Sequence, residues 1–185
     1  MPRDREKVRH RLQAAALELY REHGYDETTT VEIAERAGVT ERTFFRHFAD
    51  KREVLFDGEA ALGAILTGAV HAAPPALGPW ATLLLAFQAT KPFLVENRVL
   101  AAARRRVIAC SPPLQERELA KAMSLTVLLA VALRERGTPD PLAFLAAQIG
   151  MAAFSQAFTF WLDADPSDLD EQLAKAFREV RNLTS

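Results

Sequence analysis

Thr40, Glu41, Arg42, Thr43, Arg46, His47 and Lys51 crowd into one short stretch of the chain, and their types suit nucleic acid better than catalysis. A guanidinium such as that of Arg42 can bond bidentately to guanine O6 and N7, and a threonine such as Thr43 can meet a thymine methyl or a phosphate. Arg46, His47 and Lys51 bring the positive charge and N–H donors that hold a protein on the phosphate backbone without reading its sequence. Catalytic chemistry has no comparable grouping. His10, His23, His47 and His71 show no metal-ligand spacing with carboxylates or with Cys110, so neither a metal site nor a cofactor is expected. A G-x-S-x-G elbow and the glycine fingerprints that cradle phosphates or dinucleotides do not occur. Arg104-Arg105-Arg106 reads as a solvated helix face or an ion-pair cluster. Cys110, close to Pro112 and Pro113, reads as an inert buried thiol.

The elements that must position these side chains lie in residues 28–51, TTTVEIAERAGVTERTFFRHFADK. Thr29 can cap a helix whose third residue is Glu32, a reciprocal capping box. Ile33 and Ala34 face inward, and Ala37-Gly38-Val39 makes a tight corner where glycine suits the positive φ of a helix end. Thr40 caps the next helix, and Asp50 with Glu53 repeats the box for a fourth. Two short helices joined steeply through a glycine turn form a helix-turn-helix, whose second helix enters the major groove. On spacing alone the same residues also describe a plain helical hairpin. Phe44 and Phe48 read as core, with Phe48 against the first helix.

Proline punctuates the chain at Pro74, Pro75 and Pro79, at Pro112 and Pro113, at Pro139 and Pro141, and at Pro166. Between these points the apolar spacing is helical, with no sustained alternation of the kind a strand shows. A first helix carries Val8, Leu12, Ala15 and Leu19 and stops at Gly24. Short helices over Val31–Ala37 and Thr40–Phe48 follow, then a long fourth over Lys51 to about Val70. Later helices are expected at about 79–91, 96–109, 114–136, 141–163 and 167–183, with Pro92 breaking the chain between the first two. The expected class is all-α, with about nine helices. A three-helix DNA-binding domain over residues 1–50 is followed by a larger helical ligand-binding and dimerisation domain over 51–185.

Composition sets outer bounds. The 185 residues are 49% hydrophobic and 25% charged, as in a folded globular protein and unlike a disordered one. With 23 Lys+Arg against 24 Asp+Glu, total charge is silent on nucleic acid, and local placement must decide. The single cysteine forbids an intramolecular disulfide and fits a reducing interior. Met1–Arg11 is too charged for a signal peptide. Met123–Leu133, read as the longest apolar run, falls short of the roughly 20 residues that cross a bilayer. These features lead us to expect a soluble, cytoplasmic protein with no membrane partner.

The order Gly24-Tyr25, Thr28-Thr29-Thr30-Val31, Ile33-Ala34, Ala37-Gly38-Val39-Thr40, Thr43-Phe44-Phe45-Arg46-His47-Phe48, Asp50-Lys51 and Leu55 resembles, without gaps, the DNA-binding domain of the TetR family of regulators. The resemblance implies phosphate contacts by Thr29 or Thr30, His47 and Lys51. Base reading falls to Thr40, Glu41, Arg42 and Thr43 by the geometry of the helix-turn-helix itself, whose second helix brings its N-terminal residues to the base edges. Two departures stand out. Phe45 occupies a position where the family often has an aromatic hydroxyl, so one phosphate bond worth about 1 kcal/mol is missing, and Arg46 partly substitutes. Arg42 stands where the family frequently has a small residue, which makes it the expected specificity determinant.

Beyond residue 54 the sequence carries physical character rather than motifs. Leu142, Leu145, Ile149 and Ala152 line one face of the penultimate helix, while Phe154, Phe158, Trp161 and Leu162 extend its apolar surface. Leu169, Leu173, Phe177 and Val180 form a stripe on the last helix. Surplus apolar surface on two helices suits a twofold interface, and the resemblance implies a four-helix pairing of these helices with their copies. Phe154, Trp161, Leu169, Leu173, Phe177 and Val180 are the interface candidates; as plain monomer core they would read the same. Leu84, Phe87, Gln88, Phe93, Val107, Leu125, Leu129, Gln148 and Phe158 are candidates to line a ligand pocket, or again core. The expected function is a repressor acting as a homodimer on palindromic double-stranded operator DNA. A small apolar or amphipathic effector of unknown identity would release it. The alternative is a helical ligand carrier or enzyme in which the helix-turn-helix is incidental.

Overall fold

The computed structural model describes residues 2–163 and 168–183, and these are helical with no strand among them. The elements are α1 (Pro2–His23), α2 (Thr30–Arg36), α3 (Glu41–His47), a 3₁₀ turn (Glu53–Phe56), α4 (Glu59–Ala72), α5 (Pro79–Ala89), α6 (Lys91–Glu96), α7 (Arg98–Ala109), α8 (Pro112–Glu135), α9 (Asp140–Asp163) and α10 (Leu169–Leu183). The all-α class is the one the spacing predicts. Pro92 does not break the chain where expected. The break falls at Thr90, and Pro92 sits in the first turn of α6, where its missing N–H is no loss.

The expected long fourth helix is interrupted. After the 3₁₀ turn, Asp57 is non-helical (ψ 136°) and Gly58 is left-handed (φ 98°), so α4 begins only at Glu59. Gly58 supplies the positive φ at no steric cost. The carboxylate of Asp57 is held from α1 by Arg9, whose Nε donates at 2.9 Å and whose Nη2 also bonds it, and by Gln13 at 3.2 Å.

The chain forms two compact units, Met1–Asp57 with Leu100–Glu118, and Gly58–Val99 with Leu119–Ser185. This differs from the contiguous division at residue 50 expected from the sequence. The reason is tertiary. Val107, Ile108 and Leu114 are buried in the same cluster as Leu12, Ile33, Phe44, Phe48 and Val54. In this first unit Phe56 lies beneath two guanidinium groups, with Arg104 5.4 Å and Arg117 4.7 Å from its ring centroid. Arg117 bonds Glu53 through Nε (2.7 Å) and Nη2 (3.1 Å). Arg104 donates to the Leu55 carbonyl (3.3 Å) and to Glu118 (3.1 Å), while Arg105 and Arg106 are exposed. Cys110 is exposed, contrary to expectation; at the corner after α7 it is Ser111 that turns inward.

The second unit is joined by aromatic stacking and by side chains packed against Gly63 and Gly150. Phe87 stacks on Phe154 at 4.7 Å, Trp80 lies 4.3 Å from Phe177, and Trp161 is fully buried. By length and hydropathy alone, α9 and the segment Glu53–Ala72 could cross a bilayer, both longer than the apolar run Met123–Leu133. Glu53–Ala72 is broken at Asp57–Gly58, and α9 buries ten of its residues within the protein, among them Ala147, Gly150 and Phe154.

Candidate nucleic-acid interface

Local chemistry fixes α2 and α3 before packing does. Thr29 Oγ1 accepts from the Glu32 N–H (3.2 Å), and Glu32 accepts from the Thr29 N–H (2.8 Å), so the predicted capping box is complete. The Thr29 N–H and the Thr29 hydroxyl, which also donates to the Glu32 carboxylate at 2.8 Å, hold that carboxyl below the usual carboxylate range. α2 ends in a Schellman arrangement. Gly38 (φ 67°) donates to the Glu35 carbonyl at 3.0 Å, and Val39 donates to that of Ala34 at 2.9 Å. Thr40 then caps α3, its Oγ1 accepting from the Thr43 N–H at 3.2 Å. Asp50 accepts from the N–H groups of Arg52 and Glu53, but Glu53 does not return the bond, because Arg117 takes its carboxylate.

Packing then orients α3. Phe44 is fully buried and Phe48 nearly so, and the Arg9 guanidinium lies 5.3 Å from the Phe48 centroid. With that side inward, Thr40, Glu41, Arg42, Phe45 and Arg46 are left exposed, Phe45 by 52% of its surface. Glu41 reaches from the start of α3 to the start of α2, where Thr30 Oγ1 donates to it at 2.6 Å. This contact joins two residues expected to face DNA. On the far side of α2, Arg36 bridges to Glu18 (3.3 Å) and Glu22 (3.0 Å) of α1.

His47 is half-buried, and its Nδ1 is enclosed without a hydrogen-bond partner. Burial, then the positive charges of Arg46, Arg5 and Arg9, hold the imidazole below the usual histidine range. Arg5 and Arg9 sit four apart on α1, one turn from each other. Read in sequence, they are only part of a diluted basic stretch; the fold brings their charge to His47. Lys51 is engaged internally, its Nζ donating to the carbonyls of Tyr25 (2.7 Å), Asp26 (3.0 Å) and Thr28 (2.8 Å). Nothing in the spacing of 28–51 signals that contact, because its partners are main-chain atoms.

The effector and interface candidates are placed less uniformly. Leu84, Phe87, Gln88, Phe93, Leu125, Leu129 and Phe158 lie in the second unit, buried or half-buried. Val107 instead belongs to the core of the first unit, and Gln148 is exposed on α9. Among the interface candidates, Phe154, Trp161, Leu169, Leu173 and Phe177 are buried inside the protomer, and only Val180 is partly open. That overturns their reading as a free surface: the aromatic residues are consumed by the packing of α9 on α10 and α5. The apolar groups left outside on α9 are Leu142, Phe144, Leu145 and Phe160.

A family model described as bacterial regulatory proteins of the tetR family matches residues 12–57, and one described as the MftR C-terminal domain matches residues 77–184. TcmR, an HTH-type transcriptional regulator of Streptomyces glaucescens, is 39% identical over 83 residues, which are 45% of this chain and 37% of TcmR. MftR of Mycobacterium tuberculosis, described as a mycofactocin biosynthesis transcriptional regulator, is 27% identical over 181 residues, 96% of this chain and 91% of MftR. Among solved structures, Thermus thermophilus FadR, a TetR family transcriptional repressor in complex with lauroyl-CoA, is 29% identical with a TM-score of 0.55, covering 92% of this chain and 91% of FadR. Matched over its helix-turn-helix and most of its remaining length, the chain belongs to the tetR family of bacterial regulatory proteins.

Proposed function

We propose that this chain is a transcriptional repressor that binds a palindromic operator as a homodimer and is released by a small apolar or amphipathic ligand. The observation that carries the reading is the division of α3: Phe44 and Phe48 lock one side into the core, and the other side holds out Arg42 and Arg46, with Thr43 half-buried beside them. A rigid base under exposed donors is what base reading needs, because each bidentate contact depends on a fixed guanidinium plane. Arg42 reads a base, while Arg46 and His47 hold phosphates. Glu41, bonded to Thr30, holds α2 against α3. Neither catalysis nor a cofactor enters this reading, and its place of action is the cytoplasm, with the DNA.

The ligand site belongs among the middle helices of the second unit, around Leu84, Phe87, Gln88, Phe93, Leu125, Leu129 and Phe158. The lauroyl-CoA bound by the FadR of Thermus thermophilus supports an amphipathic effector with an acyl chain. Pairing of two copies uses the outer side of α9, where Leu145 and Phe160 remain exposed, rather than the buried aromatic residues. The test is an electrophoretic mobility shift on the DNA flanking the gene, over a salt series. A steep salt dependence with a palindromic footprint is expected, and binding no tighter than to random DNA at moderate salt would sink the reading. Arg42→Ala should cost about 1–3 kcal/mol at one base position and relax selectivity there. A loss equal on every operator variant would remove Arg42 from the base-reading role.

A further inference from the structure

In the structure Lys51 does something other than what the family resemblance implies for it. An ammonium has three protons to donate, and those of Lys51 are aimed at three carbonyls, Tyr25 at 2.7 Å, Asp26 at 3.0 Å and Thr28 at 2.8 Å. Its Nζ also lies 4.4 Å from the centroid of the Tyr25 ring, within cation–π range. The main chain of the same residue is held in turn, since the buried Tyr20 hydroxyl donates to the Lys51 carbonyl at 2.5 Å. Thr28, also buried, closes the connection by donating from Oγ1 to the Gly24 carbonyl at 2.7 Å. The link between α1 and α2 is therefore fastened along its length, and it ends at Thr29 and Thr30.

We propose that Lys51 serves operator binding as a positioning residue, its ammonium fastening the Tyr25–Thr28 backbone that carries Thr29 and Thr30 to the phosphates, and that it is not itself a phosphate ligand. The proposal rests on the operator-binding reading above and assigns one residue within it. Swinging the side chain out to a phosphate would strip three carbonyls of a charged donor, two of them in part-buried bonds. Arginine cannot replace this lysine. Its planar fork spreads its donors, whereas three carbonyls converging on one point fit a compact ammonium. At a phosphate the preference would be reversed, because the fork matches phosphate oxygens well. The two roles thus predict opposite outcomes for Lys51→Arg.

The experiment titrates wild type, Lys51→Arg, Lys51→Met, Thr30→Ala and the Thr30→Ala/Lys51→Met double variant with the DNA flanking the gene, across a salt series. Alongside, acetylation of each lysine of the wild type by acetic anhydride is mapped by mass spectrometry, with and without that DNA. Lys51→Arg and Lys51→Met should each weaken binding by about tenfold or more at fixed salt, while the slope of log K against log salt stays at the wild-type value. The double variant should lose less than the sum of its single losses, since Lys51 acts through the residue already removed. Lys51 should resist acetylation equally in the free and DNA-bound wild type. Any of four results overturns the proposal: a Lys51→Met slope flatter by about 0.9 per lost contact, Lys51→Arg binding as well as wild type, additive losses in the double variant, or a Lys51 shielded only when DNA is present. If the variants fail to fold, the wild-type acetylation map still decides. A wild type with no salt-dependent binding sinks the operator reading and the proposal together. A steep wild-type slope accompanied by any of the four results sinks the proposal alone.

Discussion

The two units of the chain use polar side chains for different work. In the unit Met1–Asp57 with Leu100–Glu118, they tie one element to another. Arg9 bonds Asp57, Lys51 bonds the α1–α2 connection, Thr30 bonds Glu41 and Arg117 bonds Glu53. In the other unit the main polar bonds finish helices. Arg136 donates to the carbonyls of Ala73 and Pro74 after α4, and Arg98 to those of Trp161 and Leu162 in the last turn of α9. His71–Glu135 and Lys91–Asp170 do join elements there, but each partner is about a third exposed or more, where such pairs contribute little. Elements of this unit are held mainly by stacked rings and by glycine letting side chains approach. Directional bonds set the orientation of α2 and α3, as a surface that reads DNA requires. Packing without direction suits a unit proposed to admit a ligand by rearranging its interior.

The sharpest way to break this comparison is to cut the first unit's core from its distant segment. Leu114 is fully buried in the cluster that contains Phe44 and Ile33. Leu114→Ala should cost about 2–5 kcal/mol, read by denaturant unfolding. Hydrogen exchange should also speed up in α1, α2 and α3, some seventy residues away in sequence at the nearest. Unchanged protection in those helices would show that residues 100–118 are not part of their core.

The second unit is tested by adding a methyl group rather than removing one. A Cβ on Gly150 would lie 3.0 Å from Leu83 Cδ1 and 3.4 Å from Phe87 Cε2, inside a packed interior. Gly150→Ala should therefore destabilise by about 1–3 kcal/mol through overpacking. Gly68→Ala is the matched control. It too is helical, but nothing lies within 4 Å of its added Cβ. It should stabilise by up to about 1 kcal/mol through helix propensity alone. Thermal unfolding of the two variants should shift in opposite directions, and equal shifts would mean that close approach at Gly150 contributes nothing.

What was legible in the sequence follows the range of the interaction that decides each feature. Thr29, Glu32, Gly38 and Thr40 act within one turn of helix, so the caps and the corner of the helix-turn-helix could be read directly. Phe44 and Phe48 could be assigned to the core because their spacing leaves Arg42, Phe45 and Arg46 on the other side. Features decided across the fold could not be read. Asp57-Gly58 passed as helix because its break is stabilised by Arg9 and Gln13, more than forty residues earlier. Val107 looks the same in sequence whether it lines a pocket or fills the first unit's core. Trp161 and Phe177 looked like surplus surface, since periodicity shows that a helix is apolar all round but not which neighbours cover it.

The smallest expected effect is the most specific to the DNA-binding unit. Burial and the charges of Arg46, Arg5 and Arg9 keep His47 below the usual histidine range, so the free protein holds it neutral at neutral pH. An operator phosphate beside the ring favours the imidazolium, which raises its pKa in the complex. Between the free and bound values the complex carries the extra proton, so binding should tighten as pH falls from the bound value toward the lowered free value, by at most about tenfold per unit per protomer. His47→Gln should flatten that profile. Folding has the opposite sign. A histidine depressed in the folded state supports stability above its unfolded pKa, and that support is lost as pH falls through it. Acid should thus weaken the fold slightly while tightening the operator complex, so an affinity gain on acidification cannot arise from partial unfolding. If wild type and His47→Gln share one pH profile, His47 is not a phosphate ligand, and its lowered pKa reflects only its burial and the three arginines around it.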